Sequence, residues 1–586
     1  MKSGKETEAE RKIETEIEIK AINENGETGE QKITPWEVSS SGKIDYMKLV
    51  NQFGTELLGE EILAKFKRIT GKELHPWLRR GIFFTHRAFD KWLDAYENGE
   101  PVFLYTGRGP SSDAMHIGHL IPFMFTKWLQ DVFDCPLVIQ ISDEEKAAFK
   151  KIDFNILYKM GFENATEIIS LDFKPDKTFI FSNRDYRLNC SSFEILASEM
   201  KMKVPMKMVK DIFGFNEEST IAMWDWPFYQ TAAAFYQAYP HIFGGRPAHC
   251  LIPFAIDQDP YFRMARDIAP RMNLIKPCTI ECTFIPPLTG NQGKMSSSVS
   301  VDSTLFLTDS AQILRKKIMT NCFSGGGGNG TLEDHRKYGG NPEVDIAYQY
   351  LRYFENDDEV LKSIHDSFKK GEMSCGEIKE LLVKKLSEIY ENIQTKKSKL
   401  TKEDLEEFYK IKPMELPKPK ERKLEEAEKN LYDLFNTLQI KYRTKYHSIV
   451  TTNEEAEDLA RSVEGAVCKA IMLKGPKDAY YLYIIQSNTF VNTKTLHKRI
   501  EVSKVNFATK DTFVETLKIP NTCPSLFGLI NDSEKKISTI IIDENIPKDS
   551  AINFHPLRID ATSTISYQDM IKFIEHLKYP IKYIKE

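Results

Sequence analysis

With 586 residues the chain is long enough for about three to five domains. Its composition, 41% hydrophobic, 11% aromatic and 28% charged, is that of folded globular protein and excludes wholesale disorder. Lys and Arg number 80 against 85 Asp and Glu, a net charge of -5, so no global basic field attracts a polyanion and any nucleic-acid contact must be local.

In chain order, residues 1–32 are rich in Lys and Glu and poor in large apolar side chains, which predicts a disordered leader. The stretch KETEAERKIETEIEIK has neither the apolar core of a secretory signal nor the Arg-rich, acid-poor character of a transit peptide. No run approaches the ~18 apolar residues of a membrane span, so a cytoplasmic protein with no membrane partner is expected. Residues 33–100 should pack on the domain that follows: TPWEVSSSGKIDYMKLV predicts a hairpin and then a helix starting at Asp45 or Ser41, and Gly59 to Ala95 reads as helices.

Over residues 101–330 the runs VFLYTG, HLIPFMFTKWLQDVF and PLVIQIS alternate strand, helix and strand. Such alternation predicts an α/β, Rossmann-like domain with a parallel sheet. The pattern returns near AHCLIPFAI and CTFIPPLTG, and SGGGGNG at Ser324 to Gly330 reads as a flexible run. Residues 331–411, with EIKELLVKKLSEIYENI, carry apolar positions at helical spacing and predict a helical domain. KPMELPKPKERK, residues 412–423, holds three prolines among charges and predicts a solvated linker. Residues 424–586 open on a helix, LEEAEKNLYDLFNTLQI, and continue in β-rich runs (AIMLKG, YYLYIIQS, ISTIIID, INFHPLRI) before a last helix, an α+β domain. The nine cysteines are odd in number and widely spaced, and Cys278 with Cys282 has no second pair beside it, so reduced thiols and no metal site are expected.

The chemistry concentrates in YTGRGPSSDAMHIGHL, residues 105–120, where a strand ends and a helix begins. Main-chain N–H groups and the helix dipole favour an anion at such a junction. The small residues Gly107, Gly109, Ser111 and Ser112 allow close approach of a ligand, His116 and His119 can donate to phosphate oxygens, and Gly118 between them leaves room for a base. A second element, QGKMSSS, puts Lys294 in a Ser-rich loop, a movable charge suited to departing pyrophosphate. By residue type alone, two histidines at a surface helix start and an ordinary loop lysine remain open, and so does a nucleotidylyltransferase.

HIGH (His116 to His119) and KMSSS (Lys294 to Ser298), about 170 residues apart, together resemble a class I aminoacyl-tRNA synthetase, with Ser297 where the family commonly has Lys. The strings YTGRGPSS, TKWLQDVF, PLVIQISDEEK, IFGF, LIPFAIDQDPYFR and LFLTDS are similar to those of the eukaryotic and archaeal tryptophanyl type, from about Pro35 to Ile411. The resemblance implies amino-acid adenylation with ATP and Mg2+, transfer of L-tryptophan to tRNA(Trp), and a homodimer. It implies ATP-binding roles for Gly107, Gly109, Ser112, His116, Gly118, His119, Lys294, Met295 and Ser296, with Arg108 and Lys146 near the phosphates. Tyr105 and Gln140 match the indole-reading positions, and Glu145, Gln230 and Gln258 those that hold the polar end of the amino acid. Asp257 and Asp259 organise the site or cap a loop, and Asp345, Tyr348 and Arg352 are anticodon candidates on one helical face, with an interior position for Tyr348 equally open. A relative that binds tRNA without catalysis remains an alternative.

VCKAIMLKG, YYLYIIQSNTFVNTKTL, LFGLIND, STIIIDENI and FHPLRIDATSTISYQDMIKFI, within 424–586, resemble the YbaK/ProX type of aminoacyl-tRNA editing domain, with Lys469 matching its important lysine. In NTCPSLFGLIND the expected glycine is absent and Pro524 is displaced. Binding of tRNA, deacylation of another charged tRNA, and a dimerisation or solubility module therefore all stand.

Overall fold

The computed structural model describes residues 31–36, 38–40, 43–290, 293–295, 302–417, 424–447, 449–450, 452–520 and 522–585. Residues 1–30 of the expected leader, and 418–423 of the expected linker, lie outside these. The leader's last two residues already belong to a hairpin: β1 (Gln31–Ile33) runs antiparallel to β2 (Val38–Ser40), pairing Gln31 with Ser40. Asp45 then caps the helix Tyr46–Phe53 by accepting from the Lys48 N–H, and Gly54 ends it in the left-handed region.

The chain forms two compact units, the smaller comprising the residues beyond Pro417 together with Leu93–Glu100 and Asn273–Ile275. The larger is built on a seven-stranded sheet of order β3-β4-β9-β8-β5-β6-β7. Its strands are β3 (Glu56–Leu57), β4 (Phe83–Arg87), β5 (Val102–Arg108), β6 (Leu137–Ile141), β7 (Thr178–Ser182), β8 (His249–Ala255) and β9 (Cys278–Cys282). The last five are mutually parallel, while β3 and β4 add an antiparallel edge. Parallel strands covered on both faces must be apolar throughout, and β6 and β7 are buried at every position. Since β6 and β7 lie on one side of β5 and β8 and β9 on the other, the chain reverses direction across the sheet between β5 and β8. A crevice opens there, beyond the carboxyl ends of the strands.

Two local readings change. Within the stretch read as helices, Phe83–Arg87 is a strand, because it pairs on both sides, with β3 and with β9. CTFIPPLTG is not a strand: β9 ends at Cys282, and Pro286 and Pro287 cannot donate to a ladder.

Beyond the sheet come the helices Leu332–Tyr338, Ile346–Phe354, Asp358–Lys369, Cys375–Lys397 and Lys402–Tyr409. In the longest of these, Ile378, Leu382, Val383, Leu386, Tyr390 and Ile393 are buried at three- and four-residue intervals, a stripe facing the core. The glycine run is packed rather than a free loop: Gly326 bridges to Gly340, and Gly325 exchanges hydrogen bonds with Asn341 N–H at 2.7 Å and Asp345 at 2.9 Å.

The smaller unit holds an eight-stranded sheet of order β10-β16-β15-β11-β12-β14-β17, with β13 paired to β11. The strands are β10 (Arg443–Tyr446), β11 (Ala466–Lys474), β12 (Tyr480–Gln486), β13 (Asn506–Phe507), β14 (Ile537–Asp543), β15 (Ala551–Phe554), β16 (Ala561–Ser566) and β17 (Ile581–Ile584). Alternation along β14 divides its apolar side chains between two cores: Ile540 and Ile542 join Leu431, Phe435, Phe527 and Phe573, while Ile541 joins Leu473, Tyr483 and Leu496. All nine cysteines are free thiols. Among the described residues no helix is long and apolar enough to cross a membrane, and no group of three or more His, Cys, Asp or Glu is arranged to hold a metal ion.

Candidate active site

A cavity lies in the crevice between β5 and β8, lined by Tyr105, Gly107, Arg108, Gly109, His116, Gly118, His119, Gln140, Glu145, Lys146, Gln230, Gln258, Lys294 and Met295. These are fourteen of the sixteen positions expected there. Ser112 is not among the lining residues: its hydroxyl donates to the Ala114 carbonyl at 2.7 Å and its own carbonyl accepts from Asn164. Ser296, with Ser297 and Ser298, lies outside the described residues.

The two histidines fasten the start of the helix Ile117–Phe133. His116 is its N-cap, with Nδ1 accepting from the Gly118 N–H at 3.1 Å, and His119 Nδ1 accepts from the His116 N–H at 3.3 Å. Their rings stack, with centroids 3.5 Å apart. Burial, with Arg108 and Lys294 adding repulsion, pushes His116 down to about 3, and burial and Arg108 push His119 well below its ordinary value. Both rings are therefore neutral at pH 7, and because each Nδ1 accepts, each proton sits on Nε2. The space beside Gly118 is not vacant: a Cβ there would meet the His116 ring at 3.0 Å and an Ile285 methyl at 3.1 Å. Glycine at this position lets His116 fold back on its helix.

Three cations converge on the same end. Arg108 is buried, donates through Nε to Asn164 at 2.8 Å, and has an Nη2 with no partner; burial lowers its guanidinium to about 10. Lys146 pairs with Glu145 at 3.0 Å, pressed so close to the chain that a Cβ on Gly109 would lie 2.3 Å from its Cε. Lys294 is ion-paired to the buried carboxylate of Asp257. Asp259, by contrast, is turned away from the cavity into a bidentate pair with Arg87, at 2.8 and 3.0 Å, and is architectural.

At the other end, Tyr105 and Gln140 are almost fully buried, and the Tyr105 hydroxyl donates to Gln140 Oε1 at 2.6 Å. Burial raises the Tyr105 phenol well above its ordinary range, so it stays protonated and its oxygen retains lone pairs for a ring N–H. Ser142 donates to Glu145 at 3.0 Å, Gln230 Oε1 accepts from Trp226 at 3.3 Å, and Gln258 donates to the Pro35 carbonyl at 3.4 Å. Trp36 of the hairpin stacks on Phe149 at 4.6 Å, holding the hairpin against this wall.

Several supporting groups had no motif to announce them. Asn164 and Glu167, on the helix Phe154–Ile169, hold the loop before His116 through the Ser112 carbonyl and the Met115 N–H, at 3.0 and 2.7 Å. Asn183 accepts from Gln140 at 2.6 Å. In the helical region, Asp345 and Tyr348 are buried: Asp345 caps the helix Ile346–Phe354, and only Arg352 is partly exposed. The expected common reading face is thus mostly interior. In the smaller unit, Lys469 on β11 donates through Nζ to the carbonyls of Ser487 and Thr489, at 2.8 and 3.1 Å, and the neighbouring Ala470 N–H donates to the Pro524 carbonyl at 2.9 Å.

Comparison with known proteins gives two family matches: tRNA synthetases class I (W and Y) over residues 97–391, and an aminoacyl-tRNA editing domain over 447–573. The cytoplasmic tryptophan–tRNA ligase of Oryctolagus cuniculus is 46% identical over 382 residues, covering 65% of this chain and 80% of that protein. That of Saccharomyces cerevisiae is 44% identical, covering 65% and 89%. Among solved structures, the tryptophanyl-tRNA synthetase of Plasmodium falciparum aligns with a TM-score of 0.58 and 40% identity, over 63% of this chain and 95% of that one. An Encephalitozoon cuniculi tryptophanyl-tRNA synthetase bound to tryptophan aligns with a TM-score of 0.56 and 35% identity, over 63% and 100%.

Proposed function

Because the chain belongs to the class I tRNA synthetases for W and Y, we propose that the crevice between β5 and β8 is where it activates L-tryptophan with ATP before transfer to tRNA(Trp). One observation carries the assignment of roles: buried ring-N–H acceptors, Tyr105 and Gln140, share one cavity with two neutral imidazoles and an unpartnered arginine nitrogen. The indole lies against Tyr105 and Gln140, and Glu145, Gln230 and Gln258 receive the ammonium end. That leaves the substrate carboxylate directed at the α-phosphate. His116 and His119 donate from Nε2 to phosphate oxygens without needing protonation. Arg108, Lys146 and Lys294 meet the charge that builds as pyrophosphate departs, with Lys294 exchanging Asp257 for phosphate. No side chain acts as a covalent nucleophile.

Mg2+ fits these residues as an ion that arrives with the triphosphate. Among the described residues Asp257 and Glu145 are the only carboxylates in the lining, and each is paired with a lysine, which suits an ion held mainly by phosphates and water. Bound there, it neutralises phosphate charge.

Cytoplasmic residence follows the naming of the relatives. A homodimer is supported by apolar side chains left in solvent between residues 188 and 221: Leu188, Met202 and Ile221 are 78%, 77% and 82% exposed. For the smaller unit we assign contact with tRNA, and deacylation of a charged tRNA other than tRNA(Trp), to the surface around Lys469. The test of the main reading is tryptophan-dependent exchange between ATP and pyrophosphate. Gln140→Ala should raise the KM for tryptophan roughly ten-fold while that for ATP moves less than about two-fold; equal effects on both would remove Gln140 from the indole site.

A further inference from the structure

Behind the Tyr105–Gln140 pair runs a series of side chains whose donors face the same way as far as Glu144. Tyr105 donates to Gln140 Oε1 and Gln140 Nε2 donates to Asn183 Oδ1, each at 2.6 Å. Asn183 Nδ2 donates to Glu144 Oε2, and Glu144 Oε1 accepts from Arg187 Nη1 at 2.7 Å. Arg187 is held in turn by Glu194, which accepts from its Nε at 2.9 Å. Asn183 is fully buried, so no water substitutes for these partners.

An amide can be turned over and still find two hydrogen bonds, whereas a carboxylate paired with arginine only accepts. Glu144, fixed by Arg187, thus obliges Asn183 to present its NH2 outward and its carbonyl to Gln140. Gln140 must then spend its NH2 on Asn183, which leaves its carbonyl beside Tyr105. Turned the other way, Gln140 would set an N–H against the ring N–H of the guest, and the two would compete for the one acceptor left there, the Tyr105 oxygen. We infer that Glu144 and Asn183 are positioning residues that fix the acceptor polarity of the tryptophan pocket, and with it the preference for a side chain bearing a ring N–H. The inference rests on Gln140 as the indole reader.

The experiment compares L-tryptophan with L-3-(3-benzothienyl)alanine, in which sulfur replaces the ring N–H, by pyrophosphate exchange with the full chain. Wild-type protein should prefer tryptophan by roughly ten-fold or more in kcat/KM. Asn183→Leu should shrink that preference to about two-fold by raising the tryptophan KM, with little change in the ATP KM or in kcat for the benzothienyl substrate. The double change Asn183→Asp with Glu144→Gln moves the carboxylate one place along the series; it reverses the bond between positions 183 and 144 but leaves Gln140 donating to an acceptor that cannot be turned over, and should restore most of the preference. A folded Asn183→Leu protein that retains the full preference, or a double variant that loses it, overturns the inference. If Asn183→Leu does not fold, the double variant decides alone. A wild-type protein indifferent to the N–H overturns Gln140 as indole reader and this inference with it, whereas discrimination that survives Asn183→Leu overturns only the latter.

Discussion

Lys294 in the larger unit and Lys469 in the smaller one occupy comparable positions in their respective family patterns, yet they are held by opposite kinds of partner. Lys294 faces a carboxylate, Asp257, which a more highly charged anion can displace. Lys469 donates to two main-chain carbonyls of the loop that follows its neighbouring strand, so its ammonium shapes that loop as well as facing any ligand. The same contrast runs through the surroundings. The larger unit leaves Arg108 Nη2 without a partner in a cavity, whereas the segment beside Lys469 is stitched to β11 through Pro524. A lysine at a motif position therefore says little about readiness for a ligand until its present partner is known, because exchange requires a partner that something else can replace.

The largest effect that would break or sharpen this contrast is on catalysis. Lys294→Ala should lower kcat for pyrophosphate exchange by about 100- to 1000-fold while leaving the tryptophan KM within about three-fold, since its charge acts on the departing phosphates; steady-state exchange kinetics would expose an unchanged kcat. A smaller effect, on stability, separates the two units in a melt. Glu281 on β9 is fully buried, keeps one oxygen unpartnered, and burial together with Asp259 raises its carboxyl to about 7. Its folded value lies above the unfolded one of about 4.3. Its contribution is therefore fully present below pH ~4 and is lost as pH rises through ~7. Glu281→Gln should stabilise the larger unit at pH 8 by about 2 kcal/mol relative to wild type, with the advantage gone at pH 4, and the transition of the smaller unit should not move. Differential scanning calorimetry across that range measures both. The smallest effect is the counterpart of the first: Lys469→Ala should leave pyrophosphate exchange within about 1.5-fold of wild type. Loss of exchange in that variant would show that the lysines are not as separate in function as their partners are in kind.

Much of the larger unit was legible in the sequence because its signals are local. The strand, turn and helix over residues 102–133 follow from apolar periodicity and a polar interruption, and the positions gathered at that turn line one cavity. What stayed hidden depends on contacts between distant segments. Asn183 and Asn164 are ordinary residues in sequence, and nothing near them indicates that Gln140 and Arg108 need an acceptor. Asp259 sits two residues from Asp257 and looks equivalent until Arg87, at the end of β4, claims it. The strand Phe83–Arg87 was misread for a related reason: its identity comes from pairing with β9, almost 200 residues away, and not from its own pattern. Likewise the glycine run reads as flexible by composition, whereas its bridge to Gly340 makes it part of a packed turn.

The reciprocal fastening of the helix Ile117–Phe133 by His116 and His119 has a practical corollary for anyone dissecting them. Alanine at either place would strip a main-chain amide of its acceptor and loosen the first turn, so a dead enzyme would report on fraying as much as on chemistry. Asparagine at 116, a good acceptor at that spot, would keep the turn wound while withdrawing the imidazole, and the gap between the two substitutions would apportion scaffold from catalyst.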